Sequence, residues 1–468
     1  MDGVRPHPRI IQGGMGVAVS NWRLASAVSR AGQLGVVSGT GIDTVLIRRL
    51  QDGDPGGHMR RAITQFPIAG VGDEVLHRYF LAKGRAPGTP YRLLPMYKQV
   101  VTPARDRVTV LANFVEVFLA KEGHDGVVGI NLLTKVQMPT LPSLYGAMLA
   151  GVDYVIMGAG IPREIPGVLD ALAEHKPTAI KFEVLGGEGA HLAFDPADHW
   201  PTPLHPLKRP LFLPVISAAT LAATLAKKAN GRVDGFVVEG PTAGGHNAPP
   251  RGEPRLNERG EPIYGERDVV DLAKMRELGL PFWLAGGVGS PAGLELALAE
   301  GAAGIQVGTL FAFSEESGLA TEIKRRVFAA VSTGTASVLT DPRASPTGYP
   351  FKVVELPVQD APKKERTRVC DLGYLRVAVK TPEGRVAYRC PAEPVDAFLG
   401  KGGDLADTVG RRCLCNGLMS DVGLGQVREG GIEPELITSG DDLSSILAVA
   451  GGSEGYSAGQ ALNYLLGV

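Results

Sequence analysis

The sequence predicts an α/β protein, a (β/α)8 TIM barrel with helical insertions and a C-terminal extension. Short apolar runs alternate along the chain with longer segments of helical periodicity. The runs are apolar throughout, which is typical of parallel strands buried on both faces. Eight such runs occur, and their glycine-rich ends continue through the eighth unit. This regularity favours a closed barrel over a doubly wound open sheet.

The predicted strands and helices follow one another in regular βα units. In chain order the strands are RIIQGGMG, LGVVSGTG, GVVGINLL, DYVIMGAG, FLPVIS, DGFVVEG, FWLAGGVG and GIQVGT. Helical patterns between them include NWRLASAVSRAG, LPSLYGAMLAG, IPGVLDALAEH, AATLAATLAKKA and SPAGLELALAEG. The fifth strand has two candidates, because TAIKFEV competes with FLPVIS for that position.

Several segments of the chain are additional to the eight βα units of a minimal barrel. We expect a barrel domain over residues 1–355, with insertions at about 50–125, 178–211 and 247–267. Long loops at the C-terminal ends of barrel strands usually shape the substrate site. Residues 356–468 form a C-terminal extension that contains all four cysteines.

Composition restricts the class of protein. The 468 residues carry a formal net charge of -1, so no basic surface argues for a nucleic-acid partner. No run of about 18 apolar residues occurs and the N-terminus lacks a secretory signal pattern, which favours a cytoplasmic protein without a membrane partner. We expect a small-molecule substrate, and a homodimer is compatible with the sequence.

The ends of the seventh and eighth strands predict a phosphate site. The segments LAGGVGSP and GIQVGTLFAF offer backbone N–H groups with few side chains. The residues concerned are Gly286, Gly287, Gln306, Val307, Gly308 and Thr309. Barrels often bind phosphate between these two loops. The alternative is that the glycines serve only tight turns.

Three other strand ends offer groups for a ligand. Gly13, Gly14 and Met15 follow the first strand, where glycines let a flat ring approach the backbone. Asn131 ends the third strand and can donate and accept hydrogen bonds, unless it only forms a turn. Glu239 ends the sixth strand after an apolar run, which makes an ordinary solvated glutamate the weaker interpretation.

One histidine is a candidate for catalysis. His246 follows Gly244 and Gly245 in the loop after the sixth strand, on the face where barrels keep their chemistry. A histidine there can act as a general acid or base near neutral pH. The alternative is a loop histidine that hydrogen-bonds the next insertion.

Together these motifs resemble a known family. IIQGGMG, GINLL, VVEGPTAGGH, LAGGVG and IQVGT occur in the order and spacing of the nitronate monooxygenases, also called the 2-nitropropane dioxygenase family. SPTGYPFKVV and YSAGQALNYLL resemble its closing segments. The family also contains FMN-dependent enoyl-acyl-carrier-protein reductases, trans-acting enoyl reductases and NADH:quinone reductases. The resemblance implies an FMN-binding (β/α)8 barrel.

The resemblance assigns roles to the candidate residues. Gly13, Gly14 and Met15 would lie against the flavin ring, Asn131 would contact FMN, and His246 would lie over the flavin. Gly286, Gly287 and the run Gln306–Thr309 would hold the phosphate.

The sequence departs from the family pattern at two places. Glu239 replaces a glutamine that many members have, which would add a negative charge near FMN if the carboxyl is ionised, and PTAGGHNAPP replaces the usual EAGGHRG pattern.

The expected activity is oxidation of alkyl nitronates with O2 to carbonyl compounds and nitrite. His246 would orient the nitronate oxygens or deprotonate a neutral nitroalkane. The alternative on the same fold is an NAD(P)H-dependent reductase of enoyl thioesters or quinones, with acyl carrier protein as a partner and His246 as proton donor. A third hypothesis is a phosphate-ligand binding protein or non-redox barrel enzyme, because barrels host many chemistries.

The four cysteines form a separate question. Cys370, Cys390, Cys413 and Cys415 could supply four thiolates to one metal. Their spacings are wide, however, and no C-x-x-C pair is present, whereas zinc and iron–sulfur sites usually show tighter pairs. The sequence therefore favours buried, apolar cysteines and no metal site.

Overall fold

The computed structural model describes residues 7–199, 205–357, 366–381 and 383–468. Residues 1–6, which belong to the N-terminus inspected for a secretory signal pattern, lie outside these ranges, as do residues 200–204 of the insertion at about 178–211 and residues 358–365 and 382 of the C-terminal extension.

Outside residues 52–127 and 174–210, strands and helices alternate as predicted from residue 10 to residue 312. The strands are β1 (Ile10–Gln12), β2 (Gly35–Ser38), β3 (Val128–Leu133), β4 (Tyr154–Gly158), β5 (Thr178–Phe182), β6 (Val184–Leu185), β7 (Ala190–Phe194), β8 (Leu211–Ile216), β9 (Phe236–Glu239), β10 (Phe282–Ala285), β11 (Gly304–Val307), β12 (Ser337–Asp341), β13 (Phe351–Glu355), β14 (Val377–Lys380), β15 (Val386–Arg389), β16 (Val427–Arg428) and β17 (Gly431–Ile432). The helices are α1 (Trp22–Arg30), α2 (Ile42–Gln51), α3 (His58–Ile63), α4 (Val71–Tyr79), α5 (Pro103–Lys121), α6 (Thr140–Leu149), α7 (Ile165–Ala173), α8 (Ala219–Lys228), α9 (Leu272–Glu277), α10 (Pro291–Ala299), α11 (Thr309–Ala312), α12 (Thr321–Ser332), α13 (Val395–Leu399), α14 (Leu414–Asp421), α15 (Ser445–Ala450) and α16 (Ala458–Leu466).

Eight parallel strands within the described ranges form the barrel, in the order β1-β11-β10-β9-β8-β4-β3-β2. A parallel bridge between Ile11 and Leu34 joins the two ends of this sheet. Gln12 N–H donates to the Leu34 carbonyl at 2.9 Å, and Leu34 N–H donates to the Ile10 carbonyl at 3.1 Å. The predicted (β/α)8 barrel is therefore confirmed.

The barrel interior is packed with large apolar side chains. Ile11, Val36, Val237 and Trp283 belong to a cluster of fully buried residues drawn from strands around the barrel. The Trp283 indole N–H donates to the Pro8 carbonyl at 2.7 Å, which satisfies its one polar group. Ligands therefore meet the barrel at its mouth and do not enter a pore.

The fifth barrel strand is FLPVIS, because β8 pairs with both β4 and β9. TAIKFEV forms β5 instead, which pairs antiparallel with β7 outside the barrel. Burial explains the difference. Most residues of β8 are buried, whereas residues along β5 alternate between exposed and buried, as expected for a strand with one solvated face.

The C-terminal extension packs onto the barrel and its insertions. Strand β14 pairs in parallel with β6 of the second insertion. Leu414, Ile446 and Leu465 are buried in the same hydrophobic cluster as side chains of the barrel helices. The division at residue 355 remains a prediction, but the extension contributes to a shared core.

None of the helices in the described part of the chain combines the length and apolar character that crossing a membrane requires.

Candidate active site

A cavity of about 280 Å³ opens at the C-terminal ends of the barrel strands. It brings together every residue that the sequence nominated for the site. These are Gly13, Gly14, Met15, Asn131, Glu239, Gly244, Gly245, His246, Gly286, Gly287, Gln306, Val307, Gly308 and Thr309. They meet because parallel strands of a barrel all end on the same face. Their individual roles remain predictions.

A buried glutamine fixes the loop after β1. The Gln12 Oε1 accepts from the Val36 N–H at 2.9 Å, and its Nε2 donates to the Ser20 hydroxyl at 2.8 Å. The same hydroxyl accepts from the Met15 N–H at 2.9 Å. The sequence analysis did not single out Gln12 or Ser20. Their hydrogen bonds hold the glycine loop and Met15 at the cavity wall.

Asn131 packs tightly on this loop. Its Nδ2 donates to the Gly14 carbonyl at 3.1 Å. A Cβ at Gly14 would lie 2.1 Å from the Asn131 Cβ, so only glycine fits there. Among the residues that the structure describes, the Asn131 Oδ1 and the Gln306 Oε1 are buried without a hydrogen-bond partner. Both residues line the cavity, so these acceptors suit N–H donors of a bound molecule.

The loops after β10 and β11 form another part of the wall. Gly286 and Gly287 have φ values of 89° and 70°, which favour glycine. A Cβ at Gly286 would lie 2.9 Å from the Ala243 backbone nitrogen, so the loops after β9 and β10 approach closely. The Thr309 hydroxyl accepts from the Gly440 N–H at 3.0 Å. This predicted phosphate residue therefore also holds the C-terminal extension.

The Glu239 carboxyl lines the cavity at the end of β9. Burial raises its pKa to about 8. At neutral pH the carboxyl is therefore mostly protonated and carries little of the negative charge that a glutamate at this position allows. A protonated carboxyl can donate and accept hydrogen bonds, as the amide of glutamine does. Glu239 thus resembles the glutamine that it replaces more closely than its charge suggests.

His246 is held between two segments distant in sequence. Its Nε2 lies 2.7 Å from the Oγ of the buried Ser345. Its ring meets the Phe351 ring edge to face, with centroids 4.9 Å apart. Burial lowers the pKa of the imidazole to about 4, so the ring is neutral at neutral pH. A neutral imidazole can donate and accept hydrogen bonds but is a weak general base and carries no positive charge.

The C-terminal extension supplies a wall of the cavity that the sequence did not predict. The residues that it contributes are Tyr374, Leu375, Leu414, Cys415, Leu418, Asp421, Thr438, Ser439, Gly440, Asp442 and Ser445. A Cβ at Gly244 would lie 2.8 Å from the Gly440 nitrogen and from the Ser439 carbonyl carbon. Gly244 is therefore required for contact with the extension, and not only for approach to a ligand as expected. No local pattern signals a contact of this range.

A buried ion pair anchors this wall. The Arg105 guanidinium contacts the Asp43 carboxylate at 2.6 Å, with both side chains almost fully buried. The Tyr374 hydroxyl donates to the same carboxylate and lies 2.7 Å from the Thr44 hydroxyl. Tyr374 is thereby fixed against helices α2 and α5 while it lines the cavity. Burial raises the pKa of Tyr374 well above its usual value, so the hydroxyl stays neutral.

The site fits FMN on three structural grounds. At Gly14 a Cβ would collide with neighbouring atoms, and at Gly286 and Gly287 the positive φ would strain any other residue. These glycines therefore leave the backbone of the cavity wall open to a ligand. The unpartnered Asn131 and Gln306 oxygens match N–H groups of a flavin ring. The loops after β10 and β11 lie side by side, where barrels bind phosphate. The arrangement can therefore hold a flat ring and a phosphate.

Comparison with known proteins adds a family match. A family model described as nitronate monooxygenase matches residues 190–342, which include β8 to β11 and His246. The match confirms the resemblance predicted from the motifs, and it supports an enzyme of the FMN-dependent oxidoreductase class. No curated protein matches the sequence.

Solved structures with a similar course of the chain are distant. FabK from Thermotoga maritima has 17% identity, with 98% of this chain and 92% of that chain covered and a TM-score of 0.49. A nitroalkane oxidase from Streptomyces ansochromogenes has 15% identity, with 98% and 95% covered and a TM-score of 0.46. The enoyl reductase domain of MlnA from Bacillus amyloliquefaciens has 12% identity, with 74% and 63% covered and a TM-score of 0.38.

Proposed function

We propose that this FMN-dependent oxidoreductase oxidises alkyl nitronates with O2 to carbonyl compounds and nitrite. The observation that carries the proposal is the absence of charge on two polar residues of the cavity. Burial keeps the Glu239 carboxyl protonated and the His246 imidazole neutral at neutral pH. A nitronate is an anion, and a buried carboxylate beside it would repel it. The neutral pair offers hydrogen bonds without that repulsion.

The first task of the protein is to hold the cofactor. Asn131 and Gln306 would accept hydrogen bonds from the flavin ring through their unpartnered oxygens. Gly286, Gly287 and the segment up to Thr309 would bind the phosphate. FMN bound here would supply the redox chemistry, the transfer of electrons from the substrate to O2. The residues of the chain supply position and electrostatics.

His246 would orient the substrate. Its low pKa, about 4, makes deprotonation of a neutral nitroalkane inefficient, so the orienting role is favoured over the role of general base. The hydrogen bond to Ser345 and the packing on Phe351 restrict the ring to one orientation. A ring held in this way can place the nitro oxygens of a bound nitronate at a fixed position.

Nitrite production tests this function directly. The purified protein loaded with FMN is mixed with an alkyl nitronate in air, and nitrite and O2 consumption are measured together. We expect nitrite to form with the consumption of O2. Absence of both, with FMN fully bound, would rule out the nitronate reaction.

A second function is favoured by one feature of the wall. Leu375, Leu414 and Leu418 of the extension present apolar side chains to the cavity. Such a wall suits the acyl chain of an enoyl thioester, with NAD(P)H as electron donor and acyl carrier protein as the carrier. Oxidation of NADPH or NADH that depends on an enoyl thioester, without nitrite formation from nitronates, would favour this reductase.

A further inference from the structure

The extension brings its four cysteines to one place. Cys370, Cys390, Cys413 and Cys415 all line a second, small cavity beside the larger one. All four are free thiols. Cys390 directly follows β15, and Cys413 and Cys415 lie at the start of α14. A separation of up to 45 positions in the sequence therefore becomes proximity in the fold.

The sulfur atoms are surrounded by groups that donate hydrogen bonds. The Asn416 Nδ2 donates to the Cys413 Sγ at 3.6 Å, and Asp371 holds the same amide at 2.8 Å. Backbone N–H groups of Ala392 and Leu375 lie close to the sulfurs of Cys390 and Cys415 respectively. Cysteines that only fill an apolar core need no such donors. Hydrogen bonds to sulfur are one of the levers by which proteins tune iron–sulfur centres.

The arrangement does not suit one metal ion. Within the described ranges, no three or more His, Cys, Asp or Glu side chains are grouped so as to hold a metal ion. A four-cysteine zinc site would place every sulfur about 2.3 Å from a single point. Thiols that surround a cavity without converging on one point fit a larger, polynuclear core. Iron–sulfur clusters are polynuclear and are held by four cysteine thiolates.

We propose that Cys370, Cys390, Cys413 and Cys415 ligate an iron–sulfur cluster. This replaces the expectation from sequence that the cysteines are only buried apolar side chains, which depended on the missing C-x-x-C pair. The proposal does not depend on the identity of the substrate. Four buried thiolates would repel one another, and the positive charge of an iron core offsets this cost. A thiol that coordinates the iron loses its proton.

The cluster site adjoins the proposed flavin site. Leu375, Leu414 and Cys415 line both cavities, so a shared layer of side chains separates them. An iron–sulfur cluster takes up and releases single electrons, and its position beside the large cavity suits exchange with a redox group bound there. The extension would then contribute a redox centre as well as a wall.

Iron and sulfide analysis tests the proposal on the full chain. The protein is purified without oxygen and reconstituted with ferrous iron and sulfide, and iron, zinc, acid-labile sulfide and FMN are measured per chain. We expect about two or about four irons with an equal amount of sulfide, and an electron paramagnetic resonance signal in one oxidation state. Stoichiometric zinc in place of iron, or no iron after reconstitution, would overturn the proposal.

Variants separate ligation from folding. Cys413→Ser and Cys390→Ser are each expected to lower the iron content at least severalfold while FMN stays bound. Leu372→Val changes another residue of the same cavity that has no sulfur, and its iron content should match that of the unaltered protein. Iron content unchanged in both cysteine variants would contradict the proposal. Because FMN and nitrite formation are measured separately, failure here is distinct from failure of the nitronate reaction.

Discussion

The His246 Nε2 lies 2.7 Å from the Ser345 Oγ, although 99 positions of sequence separate the two residues. Backbone hydrogen bonds on either side support this contact. Lys352 N–H donates to the Gly245 carbonyl and Asn247 N–H donates to the Pro350 carbonyl, each at 2.9 Å. The loop after β9 and the segment leading into β13 therefore hold the imidazole together.

Loss of the imidazole should impair turnover without loss of the cofactor. We expect His246→Asn to lower kcat/KM for an alkyl nitronate about 100-fold, because an orienting group is removed. Bound FMN should be unchanged. His77→Asn, on an exposed position of α4, serves as the control and should leave kcat/KM unaltered. Full activity in His246→Asn would show that the histidine has only a structural role.

Substrate binding should weaken as the Glu239 carboxyl ionises. Its pKa of about 8 means that a negative charge develops in the cavity as the pH rises through that value. We expect the KM for an anionic nitronate to rise about tenfold between pH 7 and pH 9, from charge repulsion in a partly buried site. In Glu239→Gln, this rise should disappear. A rise of equal size in the variant would assign the pH dependence to another group.

The same carboxyl affects stability. Its pKa rises from 4.5 to about 8 on folding, so the folded state binds a proton that the unfolded state has lost. The stabilisation that this group provides is complete below pH 4.5 and is lost as the pH rises to about 8. We expect Glu239→Gln to raise the free energy of unfolding at pH 8 by about 1–3 kcal/mol relative to the unaltered protein. Urea titrations at pH 5 and pH 8 measure this difference, which should be small at pH 5.

Gly14 should be intolerant of a methyl group. A Cβ there would lie 2.1 Å from the Asn131 Cβ, whereas a Cβ at Gly13 would lie 3.4 Å from its nearest neighbour, the Val307 carbonyl oxygen. We expect Gly14→Ala to lower the free energy of unfolding by about 1–3 kcal/mol through overpacking, and to lower FMN content by displacing Asn131. Gly13→Ala should cost less than about 1 kcal/mol. Equal losses in the two variants would contradict the close contact.

Gly244 should control the contact with the extension. Its added Cβ would meet the backbone of Ser439 and Gly440 at 2.8 Å, and backbone cannot move aside as a flexible side chain can. We expect Gly244→Ala to make the region around these two residues cleave at least severalfold faster in limited proteolysis. Gly240→Ala is the matched control, since its nearest atom would be 3.4 Å away. Unchanged cleavage in Gly244→Ala would mean that the extension does not rest on this loop.

The sequence predicted the barrel and the site through one regularity. Apolar runs that end in glycine mark parallel strands, and a barrel places all their ends on one face. His246, Asn131 and Thr309 could therefore be assigned to one cavity without knowledge of their contacts. The eight strands were identified on the same basis, apart from the choice between FLPVIS and TAIKFEV for the fifth.

What the sequence could not predict depends on long-range packing. The Thr309 hydroxyl meets Gly440 only because the extension folds back across 131 positions of sequence. The charge state of Glu239 follows from its burial and not from its residue type. The cysteine spacing argued against a common site, yet pairing of β14 with β6 and the start of α14 gather the four thiols at one cavity.

An anaerobic titration of the FMN-loaded protein tests the central claim most directly. An alkyl nitronate is added in one cuvette and NADPH or NADH in another, and the flavin absorbance near about 450 nm is followed as the redox signal of the cofactor. The proposed function predicts that the nitronate alone bleaches this band. Bleaching by the nicotinamide alone, with no response to the nitronate, would contradict it and assign the protein to the reductases.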